Sequence, residues 1–149
     1  MKITEALIAE HVIFLTVFDQ IENALPGLST PAEISTLARV IEGLLLDHSR
    51  RETDLAYRVM DHVLAHKGPL DRLYQDHREI DDHLARVRSS KTCSEGRDLL
   101  KLAIGAAREH FQGEEEHIFP LIEQTLNPET LVELGQVWLN RNAGAEVGK

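Results

Sequence analysis

The stretch ITEALIAEHVIFLTVFDQIENAL, residues 3–25, repeats large side chains at steps of three and four residues. This spacing places them on one face of an α-helix and is typical of a helix that packs inside a bundle. One position of the repeat carries an imidazole where its neighbours carry hydrocarbon. The repeat runs through Ile3, Leu7, His11, Phe14, Phe18, Ile21 and Leu25.

Three further segments carry the same repeat. Thr30-Pro31 with Glu33 predicts a helix start, because threonine caps a helix and proline fits its first position. Pro120 is expected to bend or end the last of these helices. The breaks between segments are ALPGLSTP at 24–31, HKGP at 66–69 and SSKTCSEG at 89–96. The predicted inward positions are Ile34, Leu37, Ile41, Leu44, His48, Glu52, Leu55 and Val59, then Leu70, Leu73, His77, Ile80, Leu84 and Val87, then Leu99, Leu102, Ala106, His110, Glu114, His117 and Leu121.

Four amphipathic helices joined by short loops predict an all-α fold, an up-down-up-down four-helix bundle formed by residues 1–126. The second helix must overhang, kink or end early, since His48 lies farther from the break at 66–69 than His77 does. Residues 127–149 are expected to form a short C-terminal helix, starting at Asn127-Pro128, and a frayed tail at 142–149.

Composition narrows the classes of protein and partner. The chain has 149 residues and a formal net charge of −9, which disfavours nucleic acid or an anionic membrane as the main partner. No apolar run approaches the roughly 20 residues of a membrane span, and we expect no signal peptide. The single Cys93, to which we assign no role, rules out an intramolecular disulfide and fits a reducing cytoplasm. Nothing in the sequence indicates an oligomeric state.

Each of the four predicted helices places a histidine on its inward face, and two of them add a glutamate one turn later. A histidine and a carboxylate four residues apart project from the same face and can reach one centre. Their nitrogen and oxygen atoms suit iron, manganese or zinc, and bundle interiors hold paired metal sites. One inward histidine is usually a hydrogen-bonded core residue, but four with two glutamates predict a metal site with open positions. The candidate ligands are His11, His48, Glu52, His77, His110 and Glu114.

The pattern of His11, DHSRRE at 47–52, His77 and EHFQGEE at 109–115, with IFP just after it, resembles the hemerythrin-like, or HHE cation-binding, family over residues 5–123. The resemblance implies a four-helix bundle that holds two non-haem iron ions with bridging carboxylates. Manganese and zinc are the less favoured metals. Members of the family include oxygen carriers, sensors of oxygen or iron, and proteins of iron–sulfur repair and nitric-oxide response.

Two positions depart from the pattern of the oxygen carriers in this family. Asp81 stands where carriers have a second histidine, four residues after His77. Carriers place an aspartate five residues after the last histidine, where Glu115 should rotate away from the inward face, so Glu114 is the better ligand. The expected function is binding of, or reaction with, dioxygen or nitric oxide in sensing, stress response or iron–sulfur repair, with an external reductant. The alternatives are reversible oxygen binding or storage, and iron storage or homeostasis without redox catalysis.

Other polar residues near the predicted centre have less defined roles. His117 is expected to support the ligands or to lie in the core; the alternative is that it becomes an extra ligand after a rearrangement. Asp81 is expected to complete the shell of an ion or to hydrogen-bond a ligand. His83, and the pair of His62 and His66, are expected in solvent. Four acidic residues that precede the histidines either orient imidazoles of neighbouring helices or are surface charges. They are Glu10, Asp47, Asp76 and Glu109.

Two other classes of function stay open. A hydrolase with a pair of zinc or manganese ions would use the same ligands, but the sequence shows no candidate nucleophile or substrate-binding loop. A purely structural metal site would need closed coordination, whereas six ligands leave positions open around two ions. The pattern by itself does not decide whether the protein is an enzyme.

Overall fold

The computed structural model is all-helical in the residues that it describes, 1–64 and 68–144. Every segment with the repeat of three and four is a helix, as predicted. The helices are α1 (Ile3–Ala24), α2 (Pro31–Glu52), α3 (Arg58–Val63), α4 (Gly68–Ser89), α5 (Cys93–Gly113), α6 (Phe119–Thr125) and α7 (Pro128–Gly144). Within the described ranges, no helix is both long enough and apolar enough to cross a membrane.

Two π-helical turns join helices end to end. Thr53–Tyr57 connects α2 to α3, and Glu114–Ile118 connects α5 to α6. A π turn holds more residues per turn than an α-helix, so the residues after it face a different direction. The first turn lies where the second predicted helix had to overhang, kink or end early. Pro120 does not end the other helix, because it lies in the first turn of α6, where a missing N–H is tolerated.

Side-chain caps determine where two of the long helices begin. Thr30 accepts a hydrogen bond from the Glu33 N–H, and the Glu33 carboxylate accepts one from the Thr30 N–H, which confirms the predicted start of α2. Thr92 caps α5 in a similar way by accepting a 3.2 Å hydrogen bond from the Glu95 N–H. The predicted loop before α5 is therefore too long, because the helix begins directly after Thr92.

A polar layer divides the apolar interior into two clusters. On α1, His11 lies between Leu7 of one cluster and Phe14 of the other. The other long helices alternate in the same way, so the polar positions of the four repeats meet at one level with hydrocarbon on both sides. The flanking pairs are Leu45 and Leu55, Leu73 and Ile80, and Ala107 and Ile118.

The inward face differs from the predicted one at two leucines. Leu44 and Leu102 are predicted to be buried, but they are 45% and 55% exposed. Leu45 and Ala103 take the buried positions instead. Both helices carry apolar residues at adjacent positions, so two registers satisfy the repeat, and packing against neighbouring helices selects one of them.

Helix α7 packs against α1. Helix α4 packs most extensively against α5, and α2 packs against both α4 and α5. Leu131 of α7 is buried in the same cluster as Ile3 and Leu7. The predicted frayed tail begins inside this helix, which runs to Gly144; residues 145–149 lie outside the described residues.

Candidate metal centre

Six side chains converge in the polar layer, five from the four long helices and Glu114 from the π turn after α5, and they are the six that the sequence predicts as ligands. They form two groups whose candidate ligand atoms lie within 4.8 Å of one another. All are at most 3% exposed except His77, whose side chain is 14% exposed. That these residues bind metal stays a prediction. The groups are His11, His48, Glu52 and Glu114, and Glu52, His77 and His110.

Glu52 belongs to both groups because its two oxygens face different histidines. Oε1 lies 3.1 Å from Nε2 of His48 and 3.6 Å from Nε2 of His11. Oε2 lies 3.5 Å from Nε2 of His77 and accepts a 3.4 Å hydrogen bond from the Tyr57 hydroxyl. A carboxylate in this position can bridge two metal ions.

Glu114 also lies between the two groups. Its Oε2 is 3.4 Å from Nε2 of His11 and 3.5 Å from Nε2 of His110. The Nε2 atoms of His77 and His110 are 2.8 Å apart. This distance is close to the roughly 3 Å between adjacent nitrogen ligands that each lie about 2.1 Å from one ion.

Several buried atoms that face the centre make no well-aligned hydrogen bond in the part of the chain that the structure describes, although Nε2 of His48 and Oε1 of Glu52 lie within ion-pair distance of each other. Leaving a buried polar atom unpaired costs about 1–3 kcal/mol. All of these atoms are nitrogen and oxygen donors of the kind that first-row metal ions bind, so the residues fit a metal centre. They are Nε2 of His11 and of His48, Oε1 of Glu52, and both carboxylate oxygens of Glu114.

Carboxylates on neighbouring helices contact the outer nitrogens of two histidines. Glu10 Oε2 lies 2.9 Å from Nδ1 of His48, and Asp76 Oδ2 lies 3.5 Å from Nδ1 of His110. Such contacts favour the tautomer whose Nε2 is free to bind at the centre. Two of the four predicted acidic residues therefore orient imidazoles. The exposed two, which are surface charges, are Asp47 and Glu109.

Glu115 makes a contact that sequence reasoning missed. Its Oε1 lies 2.8 Å from Nδ1 of His11, although the Glu115 side chain is 38% exposed. Glu115 does rotate away from the centre, as predicted, but α1 passes on that side and presents the outer edge of its histidine. A run of three acidic residues at 114–116 was the available sequence signal.

Both π turns lie at the shared glutamates. Glu52 directly precedes Thr53–Tyr57, and Glu114 is the first residue of Glu114–Ile118. The first turn brings the Tyr57 hydroxyl back onto the carboxylate five residues earlier. Since π turns within α-helices are frequent at functional sites, their positions support a functional role for this layer.

The second π turn explains why His117 does not lie in the core, where it was predicted to be able to lie. Ile118 and Ile122 are buried, whereas His117 is exposed and forms no hydrogen bond with a candidate ligand in the described ranges. An uninterrupted α-helix would place the residue seven positions after His110 on the inward face. The wider π turn moves the inward position one residue later in the chain, from His117 to Ile118.

Other predicted candidates lie outside the centre. Asp81 is exposed, belongs to neither ligand group and forms no hydrogen bond with a candidate ligand in the described ranges, so the hydrogen-bonding role predicted for it is wrong, and its role in the shell of an ion stays a prediction. His83 is half-buried rather than solvated, and its Nε2 lies 3.7 Å from Oε1 of Glu79. His62 is exposed, as predicted, and His66 lies outside the described residues.

Two histidines of the centre have pKa values shifted in opposite directions. Burial opposes protonation of His48, but the charge of Glu52 and hydrogen bonds with Glu10 and Glu52 outweigh it and raise the pKa to about 9. Burial lowers the pKa of His110 to about 4, and the attraction of Glu52 does not offset it. Without metal, the first imidazole is therefore charged at pH 7 and the second is neutral.

The two shared carboxylates also differ in their pKa values. Burial opposes ionisation of Glu52, but the positive charge of His48 and hydrogen bonds with histidines hold its pKa well below the ordinary value. Burial, together with the negative charge of Glu52, holds the pKa of Glu114 well above the ordinary value. The opposite shifts favour a single negative charge on the pair, and a metal ion would compete with a proton for Glu114.

Two adjacent cavities lie beside His77. The outer cavity has a volume of about 270 Å³ and is bordered by Ser49, His77 and Asp81. The inner cavity, of about 10 Å³, is bordered by the same three residues and by His48 and His110. Its volume is close to what one water-sized molecule needs. The centre can therefore be approached from the side of His77.

The comparison with family models identifies the domain. The model described as Hemerythrin HHE cation binding domain matches residues 2–122, a range that contains all six candidate ligands and ends before α7. No curated protein and no solved structure matches the chain. The match extends over most of the chain and agrees with the resemblance seen in the histidine and glutamate pattern. The chain therefore belongs to the hemerythrin HHE cation-binding domain family.

Proposed function

We propose that the chain is a non-haem di-iron protein, folded as an up-down-up-down four-helix bundle, whose centre binds or reacts with dioxygen or nitric oxide in sensing, stress response or iron–sulfur repair. The observation that carries the proposal is the position of Glu52, whose two oxygens face separate histidines. A carboxylate shared by two groups of nitrogen ligands supports two ions rather than one. Iron is the metal that the hemerythrin resemblance implies, and the donors suit it.

The two ions would be held unequally. The group that contains His77 has three candidate residues, against four in the other group, and His77 borders both cavities. Fewer protein ligands leave more positions open to an incoming molecule. Two iron ions held there would supply electrons to a bound diatomic molecule, and an external reductant would restore them.

The surrounding residues hold the ligands and limit what reaches them. Glu10, Asp76 and Glu115 contact the outer nitrogens of three histidines. The Phe111 ring stacks on His11 with 4.0 Å between ring centroids, and apolar clusters lie on both sides of the polar layer. The inner cavity of about 10 Å³ suits a diatomic molecule better than an organic substrate, which disfavours a hydrolase.

Asp81 favours reaction over reversible transport. It occupies the position where oxygen carriers have a histidine, and it lies outside both ligand groups. The ion beside His77 would therefore have fewer nitrogen ligands than in a carrier. We infer that dioxygen oxidises the reduced centre irreversibly, instead of binding to it and being released.

Metal analysis and oxygen uptake test the proposal. We expect about two iron atoms per chain after iron-replete expression. We also expect that the reduced protein consumes dioxygen that purging with argon does not return. If purging returns the dioxygen over repeated cycles, the protein binds it reversibly. If the protein takes up iron but neither consumes nor reversibly binds dioxygen, its role is iron storage. One metal ion or none would overturn the di-iron proposal.

A pair of variants separates the contribution of Asp81. Asp81→His supplies the imidazole of the carriers at the position four residues after His77, and we expect it to slow the irreversible oxidation. Asp82→His is the matched control, because its side chain is 68% exposed and borders neither cavity. Equal oxidation rates in both variants would mean that Asp81 does not determine the outcome.

A further inference from the structure

Helix α7 lies outside the residues that match the family, yet it contacts a residue that orients a candidate ligand. Trp138 Nε1 donates a 3.4 Å hydrogen bond to Oε2 of Glu10. The same oxygen lies 2.9 Å from Nδ1 of His48. Two hydrogen bonds in series therefore join α7 to the centre.

A second contact joins α7 to the segment that follows Glu52. Arg141 Nη1 lies 3.3 Å from Oδ2 of Asp54. Asp54 belongs to the π turn Thr53–Tyr57, which begins directly after Glu52. The ion pair is partly exposed and adds little stability by itself, but it places α7 next to the π turn that begins directly after Glu52.

The approach of α7 to the start of the chain is close enough to exclude a side chain. A Cβ at Gly135 would lie well inside van der Waals contact with the carbonyl oxygen of Met1 and close to the backbone of Lys2. Leu131, one turn earlier, is buried in an apolar cluster. These contacts set the distance between α7 and α1, and so the position at which Trp138 meets Glu10.

We propose that α7 positions the metal centre: Trp138 holds Glu10 on the outer nitrogen of His48 and thereby strengthens metal binding by the group that contains His48. The inference rests on the proposed metal binding. Loss of such an outer contact typically weakens metal affinity 10- to 100-fold. Arg51 also contacts Glu10, at 2.8 Å, and would keep it partly in place, so loss of the Trp138 contact should weaken binding about tenfold.

Trp138→Phe tests this role, because it removes the N–H donor and keeps an aromatic ring in the contact. Competition with a chelator for Fe²⁺, without oxygen, measures the affinity for each ion. We expect about tenfold weaker binding of the ion in the group that contains His48, and unchanged binding of the ion in the group that contains His77. The second ion should be unaffected because Asp76, on α4, orients His110 in its group. Unchanged affinity for both ions, or equal loss for both, would overturn the proposal.

Gly135→Ala tests whether the close packing of α7 against the start of the chain matters, and a second glycine provides a matched control. The added methyl group must displace α7 from the backbone of Met1, so the same ion should bind more weakly. Gly43→Ala adds a methyl group to α2 where nothing lies within 4 Å, and it should bind both ions as the wild type does. If Gly135→Ala binds Fe²⁺ with the affinity of the wild type, the close packing of α7 against the start of the chain does not position the centre.

Solvent exchange of the His48 Nδ1 proton gives a readout that does not need metal. In metal-free protein, nuclear magnetic resonance should show faster exchange in Trp138→Phe than in the wild type. The Nδ1 proton of His110, which faces Asp76, should be unaffected. If the wild type binds no metal, the proposed function fails while this measurement still decides the role of α7. Equal exchange rates for His48 in the two proteins would refute that role.

Discussion

Replacement of Glu114 by methionine should stabilise the metal-free protein and remove its response to metal. Glu114 is fully buried, and neither carboxylate oxygen has a hydrogen-bond partner in the described part of the chain. Burial and the charge of Glu52 hold its pKa well above the ordinary value, which favours the neutral carboxyl without metal. When Glu114 is protonated, its hydroxyl can donate to Glu52, which satisfies one oxygen and leaves the other without a hydrogen bond.

The size of the effect follows from that unpaired atom. Removing one unpaired buried polar atom is worth about 1–3 kcal/mol, and methionine fills a similar volume without polar oxygens. A gain of about 2 kcal/mol corresponds to a rise in melting temperature of roughly 4–8 °C for a chain of this size. Metal binding by the wild type should instead satisfy both oxygens and raise its own melting temperature.

Thermal unfolding followed by circular dichroism, on protein shown to be metal-free, measures both effects. Metal-free Glu114→Met should melt above metal-free wild type, and added Fe²⁺ should raise the melting temperature of the wild type far more than that of the variant. Glu116→Met replaces an exposed glutamate of the same acidic run and should change stability by less than about 0.5 kcal/mol. A lower melting temperature for the metal-free Glu114→Met protein would show that the fold itself satisfies this carboxyl, and the argument for a metal would fail.

Three further outcomes follow from the geometry of the centre. Metal loading at pH 7, measured with a pH-stat, should release one proton from His48, whose pKa is about 9, and the raised pKa of Glu114 should add to the release. The release should shrink as the pH rises past 9, and no release at pH 7 would contradict these pKa shifts. Glu115→Gln should weaken metal binding about 10- to 100-fold in chelator competition, since it alters the contact with the outer nitrogen of a ligand, whereas Glu116→Gln should not. His48→Ala should lower the metal content found by elemental analysis and His83→Ala should retain it; equal content would mean that the ligand groups are misassigned.

Local periodicity was sufficient to predict the helices and the side chains that meet in the polar layer. A helix turns by a nearly constant angle per residue, so His11 between Leu7 and Phe14 must share their face whatever the partner helices are. The same argument predicts that His48 and Glu52, four residues apart, point into one centre. These predictions depend only on neighbours within the same helix.

Helix-to-helix packing determined the features that periodicity predicts wrongly or not at all. Leu44 and Leu45 both satisfy a helical repeat, and only the neighbouring helices decide which of them is buried. The π turn after Gly113 redirects the chain and leaves His117 in solvent.

Contacts between distant parts of the chain decided the surroundings of the candidate ligands. Glu115 reaches His11 across 104 positions of sequence, and Trp138 reaches Glu10 across 128. The repeat within one helix contains no information about such pairs, because they depend on how close two helices approach and on which flank each presents. The candidate ligands were therefore readable in the sequence, whereas the groups that orient them are brought together only where the folded helices meet.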